Sequence, residues 1–355
     1  MRLASVRLRH VGPFEDTTVR FADADGEPEE RVTSRPVTVL FGGDGTGKTT
    51  LLSALALTRP GHTLPPLPHG RPAGADEPSW VRAEWLLGED DPERPHALVV
   101  ASPTAVLDGE SAEAAAARRR EQALFDRRAQ AEGGFVLVAF SGARWFSRAA
   151  NALSAPERSV LRYDVRHAPS FDDPTRADLT RETKQVLSYA AIARALGGER
   201  AEYAHLARFE EAVREVTGVM LEPFGFTYAG VGPTTLEPEA RDPEGRVVGF
   251  DALPRAARHL VAFGALSLRA LFAAYPGSEA PREREGVVLV DDVEAQQDPA
   301  MLRGLVPLLR RALPNVQWVL TTASTQLALA CEAGEVVALR RSRGSRIEIG
   351  EGVLH

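Results

Sequence analysis

The sequence holds a single cysteine in 355 residues. Cys331 therefore has no partner within the chain, which excludes an internal disulfide framework. Lysine is nearly as scarce: of the 42 basic residues only Lys48 and Lys184 are lysines. Arginine is uninformative in such a chain, whereas Lys48 stands out as a compact, flexible ammonium. Also missing is any stretch near the roughly 18 uninterrupted apolar residues of a membrane span. The first residues run into charge instead of a long apolar segment, and with the lone cysteine this predicts a cytoplasmic protein that does not enter a membrane. No excess of positive charge exists either, since the net charge is −7, which argues against a wholly basic nucleic-acid binder. No repeat of fixed period is visible.

What is present suffices for a sizeable core. At 44% hydrophobic residues, the chain reads as one large α/β domain or one domain with an inserted lobe. Alternation over residues 3–11 and 17–21, about a Gly12-Pro13-Phe14 turn, predicts a β-hairpin. An acidic loop, 22–35, leads to a short apolar run, 37–41, suited to a buried parallel strand. A helix over 48–57 follows, stopped by Pro60-Gly61, and then a Pro-, Gly- and His-rich loop over 60–78. Strands are expected at 80–87, 97–101 and 135–140. Residues 111–132 have high helix propensity without an apolar stripe, so Arg118, Arg119, Arg120, Arg127 and Arg128 read as a solvated face. Helical spacing at 179–196 and 203–216 makes 145–218 a mostly helical inserted lobe between two parts of the main domain, 1–144 and 219–355. A strand pair at 224–229 and 246–250 around a Pro- and Glu-rich turn comes next, then a long apolar helix, 255–275. Strands at 287–292, 317–322 and 336–340 alternate with helices at 300–313 and 326–333, so the core sheet is expected to be largely parallel.

The strongest motif is Gly42-Gly43-Asp44-Gly45-Thr46-Gly47-Lys48-Thr49, which fits GxxxxGK[ST] with an apolar strand running in and a helix running out. Its glycines let the backbone turn N–H groups inward, the helix N-terminus adds positive potential, Lys48 reaches β/γ-phosphate oxygens and the Thr49 hydroxyl takes Mg²⁺, with Thr50 following on the same turn. ATP and Mg²⁺ are the expected ligands. Such a site needs a carboxylate at the end of a neighbouring strand. Val288-Leu289-Val290-Asp291-Asp292 supplies Asp291 for magnesium and Asp292 to orient or deprotonate an attacking water. The alternative for either acid is a strand-end residue that caps the next helix.

With these two ends in place, the chain resembles the ABC-type ATPase heads of the RecF, SMC and OLD-like group. Leu8-Arg9-His10-Val11-Gly12-Pro13-Phe14 is similar to the group's opening hairpin, and Val290-Asp291-Asp292-Val293-Glu294-Ala295-Gln296-Gln297-Asp298-Pro299 to its IDEIExxLHP segment. The resemblance is strong at both ends and weak over residues 60–245. It implies a P-loop NTPase fold of ABC-ATPase type: a mostly parallel core sheet, an N-terminal antiparallel β part and an inserted helical lobe. No long heptad region exists, which excludes an SMC-type coiled-coil arm.

In that group two heads sandwich two ATP molecules, and each head's signature segment contacts the nucleotide held by the other. The segment falls at Leu253-Pro254-Arg255-Ala256-Ala257-Arg258. Where the family has Leu-Ser-Ser-Gly or Leu-Pro-Ser-Gly, Arg255 and Ala256 replace the serine and glycine, leaving Arg255 as a candidate phosphate ligand in trans or as a plain helix-start residue. Asp292 stands for the family's glutamate, shorter by about 1 Å or more of reach. Ala323, in Thr321-Thr322-Ala323-Ser324-Thr325-Gln326-Leu327, stands for the switch histidine and offers no polar group. No glutamine follows the strand at 135–140, with Arg144 the nearest substitute. The groups that hold ATP are thus intact and those that cleave it altered together. The resemblance implies a nucleotide-gated switch with slow or absent hydrolysis, working as a homodimer or heterodimer of heads or docked on a protein partner, in DNA maintenance or defence, with DNA as a further candidate ligand. Three alternatives stay open: a scaffold with permanently bound ATP, a head made active by a partner head, and a phosphotransferase with Asp292 as base.

Overall fold

Val287-Val288-Leu289-Val290 is an unbroken apolar run. Successive side chains of a strand point to opposite faces, so such a run belongs where both faces of a sheet are covered. In a computed structural model of the chain, this run lies in β10 (Gly286–Val290), inside a six-stranded sheet of order β13-β12-β3-β11-β10-β6. The other members are β3 (Val37–Phe41), β6 (Leu137–Phe140), β11 (Val316–Thr322), β12 (Val336–Arg341) and β13 (Ile347–Glu351). All pairings are parallel except β12 with β13. The described residues are all but 22–34, 62–63, 65–66, 68–69, 71–76, 95, 106, 133, 152, 154, 156–177, 343–345 and 354–355.

The alternation separates two cores. Val37, Val39, Val288, Val290, Trp318 and Leu320 face one side, while Leu40, Val287, Leu289 and Val319 face the other. The second side is covered by α1 (Lys48–Leu57) and by an antiparallel sheet of order β2-β1-β4-β5. That sheet comprises β1 (Arg2–Val11), β2 (Phe14–Arg20), β4 (Trp80–Leu86) and β5 (Leu98–Ala101). One buried side chain stitches the two sheets: the amide of Gln317 accepts from Leu3 N (2.7 Å) and donates to Leu3 O (3.0 Å).

The first side is covered by helices α3 (Thr180–Gly197), α4 (Ala204–Leu221), α5 (Arg255–Ala274) and α6 (Pro299–Ala312). Helices α3 and α4, from the stretch expected to form the inserted lobe, contribute Val186, Leu187, Val213 and Val216 to the same core as α5. Gly264 of α5 makes the α4 contact close, because a Cβ there would lie 2.5 Å from Val216 Cγ1. Among the described helices α5 is the one long and apolar enough to cross a membrane by length and composition, but 83% of its apolar window is buried inside the molecule. A short helix, α7 (Thr325–Ala330), follows β11.

Two expectations need correction. Pro238–Arg241, read as part of a turn, is β8, the middle strand of a sheet with β7 (Thr227–Val231) and β9 (Val247–Gly249). Helix α2 (Ala112–Glu132) is not solvated all round. Phe125 is buried against Phe135, edge to face at 6.0 Å, and Arg118 is buried in a bond with Glu110 at 2.9 Å. The strand β13 carried no period-two signal strong enough to be read. The loops expected at 22–35 and 60–78 lie largely outside the described residues.

Candidate functional site

The carboxyl ends of β3, β10, β11 and β6 converge, bringing Lys48, Thr49, Asp291 and Asp292 together, while Arg255 touches Gln296 and none of these. Gly42-Gly43-Asp44-Gly45-Thr46-Gly47 links β3 to α1. The glycines are required at stated points. Gly45 and Gly47 have φ of 71° and 89°, the left-handed region open to glycine. A Cβ on Gly42 would lie 2.6 Å from Leu339 O, and one on Gly47 2.6 Å from Pro13 Cγ. The hairpin turn of β1 and β2 is thus seated directly under the loop. Gly12 continues that seat, its missing side chain leaving room for the methyl of Thr50. Asp44 is exposed at the loop tip.

Within the loop, Lys48 Nζ donates to the carbonyls of Gly42 (2.7 Å) and Gly43 (3.1 Å), and Thr46 Oγ1 donates to Gly43 O at 2.8 Å. Helix α1 has no acidic residue in its first turn and no side-chain cap. Its first N–H groups remain available to an anion.

Asp291 is the hub. Its carboxylate accepts from Thr49 Oγ1 at 2.9 and 3.1 Å and from Thr321 Oγ1 at 2.6 Å. A hydroxyl and a buried carboxylate converging from two elements form the donor set for an oxygen-seeking divalent cation, so Thr49 and Asp291 fit magnesium. Burial pushes the Asp291 carboxyl up from its ordinary value, while the hydrogen bond from Thr321 works against that. A cation at this point would remove the penalty.

Asp292, half-buried, has φ of 43°, a left-handed conformation that aspartate adopts more readily than most residues. Its N–H donates to Thr321 Oγ1 at 2.8 Å. Its carboxyl is pushed up by burial and then by Glu294, with Lys48 and Arg144 opposing. The β6 exit passes close by: a Cβ on Gly142 would sit 3.0 Å from Asp292 Oδ2 and 3.2 Å from Asp291 Oδ2.

Arg144 does not stand in for the missing glutamine. It is buried and spends its guanidinium on backbone carbonyls: Ser141 (3.0 Å), Asp291 (2.6 Å), Asp292 (2.8 Å), Ala295 (3.3 Å) and Val293 (3.4 Å). Burial lowers its pKa to about 10, against the pull of Asp291 and Asp292. Its role is to hold the chain after β10 against the β6 exit. Ala323 offers its backbone N–H to Glu294 Oε1 at 2.6 Å. Arg255 lies exposed on the first turn of α5, its Nη1 3.4 Å from Gln296 Oε1.

Sequence reading overlooked Thr321, Gly142 and Glu294 as parts of this site. Thr321 carried a readable signal, a buried hydroxyl at the end of a core strand directly after the apolar run Trp318-Val319-Leu320. Gly142 carried none, because the need for a missing side chain arises only from the close approach of β10.

No known family's profile matches the chain and no curated protein matches it in sequence. Among solved structures it is similar to an SMC head bound to the C-winged helix domain of ScpA, with a TM-score of 0.53 and 14% identity over 100% of this chain and 98% of that one. An SMC head domain from Thermotoga maritima matches with a TM-score of 0.47 and 15% identity, covering 100% of both chains. An SMC head with an extended coiled coil bound to the C-terminal domain of ScpA, derived from Pyrococcus furiosus, matches with a TM-score of 0.49 and 14% identity over 99% and 96%. At these identities the likeness is one of fold: the first comparison and the sheet order together make this a P-loop fold of ABC-ATPase type.

Proposed function

We propose that this chain is an ATP-binding head that uses Mg²⁺-dependent nucleotide binding to associate with a second head or a protein partner, and that it turns ATP over slowly or not at all. The observation that carries the reading is the Thr49–Asp291–Thr321 hydrogen-bonded set beneath the Lys48 loop, beside a switch position occupied by Ala323. The first half holds a nucleotide and the second is poor at cleaving it.

Thr49 and Asp291 would hold Mg²⁺, which when bound would supply positive charge to offset that of the phosphates. The protein's residues do the rest. Lys48 gives up its two carbonyl partners for phosphate oxygens, and the α1 N-terminus and glycine loop donate N–H groups. Asp292 is placed to accept a proton from water, but no side chain at 323 orients that water, so proton transfer lacks its geometric partner. Arg255, exposed at the start of α5, is available to a phosphate held by another head. Partner docking draws support from the ScpA-bound SMC head of similar fold. A setting in DNA maintenance or defence rests on that analogy of fold.

The test is MgATP binding and turnover by the purified chain and by Lys48→Ala. The parent is expected to bind MgATP, to lose binding in EDTA and to turn over far more slowly than about 1 per second. Lys48→Ala is expected to fold but not bind, and sedimentation with and without MgATP reads association. Turnover at ordinary enzyme rates overturns the switch reading. Unfolding of Lys48→Ala in place of simple loss of binding favours a scaffold with resident ATP.

A further inference from the structure

Arginine fills nearly every cationic position of this chain, including the buried Arg59, Arg118, Arg144 and Arg269. Burial alone therefore does not explain why position 184 is lysine, the other lysine being Lys48 in the phosphate loop. The surroundings of Lys184 do. Its ammonium, buried on α3, donates to Asp251 Oδ2 at 2.7 Å and Ala149 O at 3.3 Å and forms an ion pair with Glu237 Oε2 at 3.2 Å, three oxygens from three separate stretches. An ammonium has three donors radiating from one atom. A planar guanidinium spreads its donors in a fork and cannot converge on three such points. Arg144 is the contrast, its fork spanning carbonyls strung along one turn.

Two of the stretches that Lys184 ties together adjoin residues already described, one following Arg144 and the other preceding Arg255. Residues 145–151 continue from Arg144 and run along α3. Leu179 N donates to Trp145 O at 3.0 Å, Thr180 Oγ1 to Ser147 O at 3.1 Å, and Asn151 Nδ2 to Ser188 Oγ at 2.7 Å. Phe146 of the same segment packs on Phe250 and His259, at 5.9 and 5.0 Å. Asp251 lies in the short turn Phe250–Ala252, four residues before Arg255. Glu237 closes the arrangement by accepting from Asn151 N at 3.2 Å.

We infer that Lys184 is a positioning residue, whose ammonium fastens the segment leaving Arg144 to the turn that presents Arg255, so that the state of the Asp291 site is felt at the surface where a second head docks. This rests on the proposed function, because Arg255 matters only if association follows nucleotide binding. Lys184 itself touches no nucleotide-binding residue: its partners are Ala149, Glu237 and Asp251.

The experiment compares the full-length parent, Lys184→Met, Lys184→Arg and Asp251→Asn for MgATP binding, MgATP-dependent association and tryptophan emission. Of the four tryptophans, Trp80, Trp85 and Trp318 are buried. Trp145 is 47% exposed and sits on the fastened segment, so emission reports on that segment. The inference expects Lys184→Met to bind MgATP within about twofold of the parent. It expects association to weaken about tenfold or more and the MgATP-induced emission change to shrink, with Lys184→Arg giving no rescue. Should Lys184→Met fail to fold, Asp251→Asn carries the same readouts with Lys184 still held by Glu237 and Ala149. Parent-like association in Lys184→Arg, or in whichever neutral variant folds, overturns the inference. A parent that neither binds MgATP nor associates instead sinks the reading of the site itself, and this inference with it.

Discussion

Asp291 shows how a residue proposed to bind a cation opposes the fold that carries it. Its carboxyl is buried and raised above the ordinary aspartate value, so the folded chain holds the proton more tightly than the unfolded one. By linkage this group is neutral for stability at low pH and destabilises the nucleotide-free protein as pH climbs through the raised value. Substituting Asp291→Asn is expected to raise the melting temperature of the nucleotide-free chain at pH 8, by an amount that shrinks as pH is lowered, while removing Mg²⁺-dependent stabilisation by ATP. Thermal melts over a pH series, with and without MgATP, check both halves. A melting temperature lowered at every pH would show that the bonds from Thr49 and Thr321 outweigh desolvation.

Among the described residues, helix α2 is tied to β5 where Gln122 Oε1 accepts from Ala101 N at 3.3 Å, and it is held at three further points. Phe125 fills the space against Phe135, Arg94 stacks over the Phe125 ring at 5.0 Å, and Arg118 pairs with Glu110. Removing the ring by Phe125→Ala is expected to cost about 3–5 kcal/mol at that contact. Hydrogen exchange should show the loss mainly as faster exchange in α2, with β10 and β11 hardly changed; uniform acceleration would mean that α2 unfolds only with the whole molecule. This helix also marks where sequence reading stops. Its propensity was legible, but a single aromatic among charges makes no stripe, and the anchor is visible only once Phe135 stands opposite. The phosphate loop and β10 were legible because their requirements are local: glycine where φ is positive, and unbroken apolar residues where both faces are covered. Strand β8 was not, since Pro238 and Glu239 read as a turn until β7 and β9 flank them. Nor was the duty of Arg144, whose five carbonyl acceptors come mostly from a stretch some 150 positions away in the chain.

At the scale of the molecule, the proposed switch places binding and cleavage in different parts of one sheet edge. Thr49 and Lys48 come from the β3 end, Asp292 from the β10 end and Ala323 from the β11 end. If slow turnover follows from the last two, Asp292→Glu combined with Ala323→His should raise ATP turnover about tenfold or more without tightening MgATP binding, as read by steady-state phosphate release. The strained φ at 292 works against the longer acid, so Ala323→His alone is the informative control. No gain in either protein would shift the cause to Arg255 in the docking segment.

The two sheets are joined by apolar packing, by the paired bonds of Gln317 to Leu3 of β1, and by ion pairs of Met1 and Arg2 with Glu285 and of Glu15 with Arg346. Apolar packing has no preferred direction and resists sliding only by interdigitation, but a two-point amide clasp fixes one spot of each layer. At the far end of β1 the turn is held in its own right, with Pro13 and Phe14 close against Gly47 and Glu15 paired with Arg346 at 3.0 Å. The phosphate loop therefore rests on a floor clamped at both ends, and a side chain added at position 47 would have to lift the loop, because the turn beneath it has nowhere to yield.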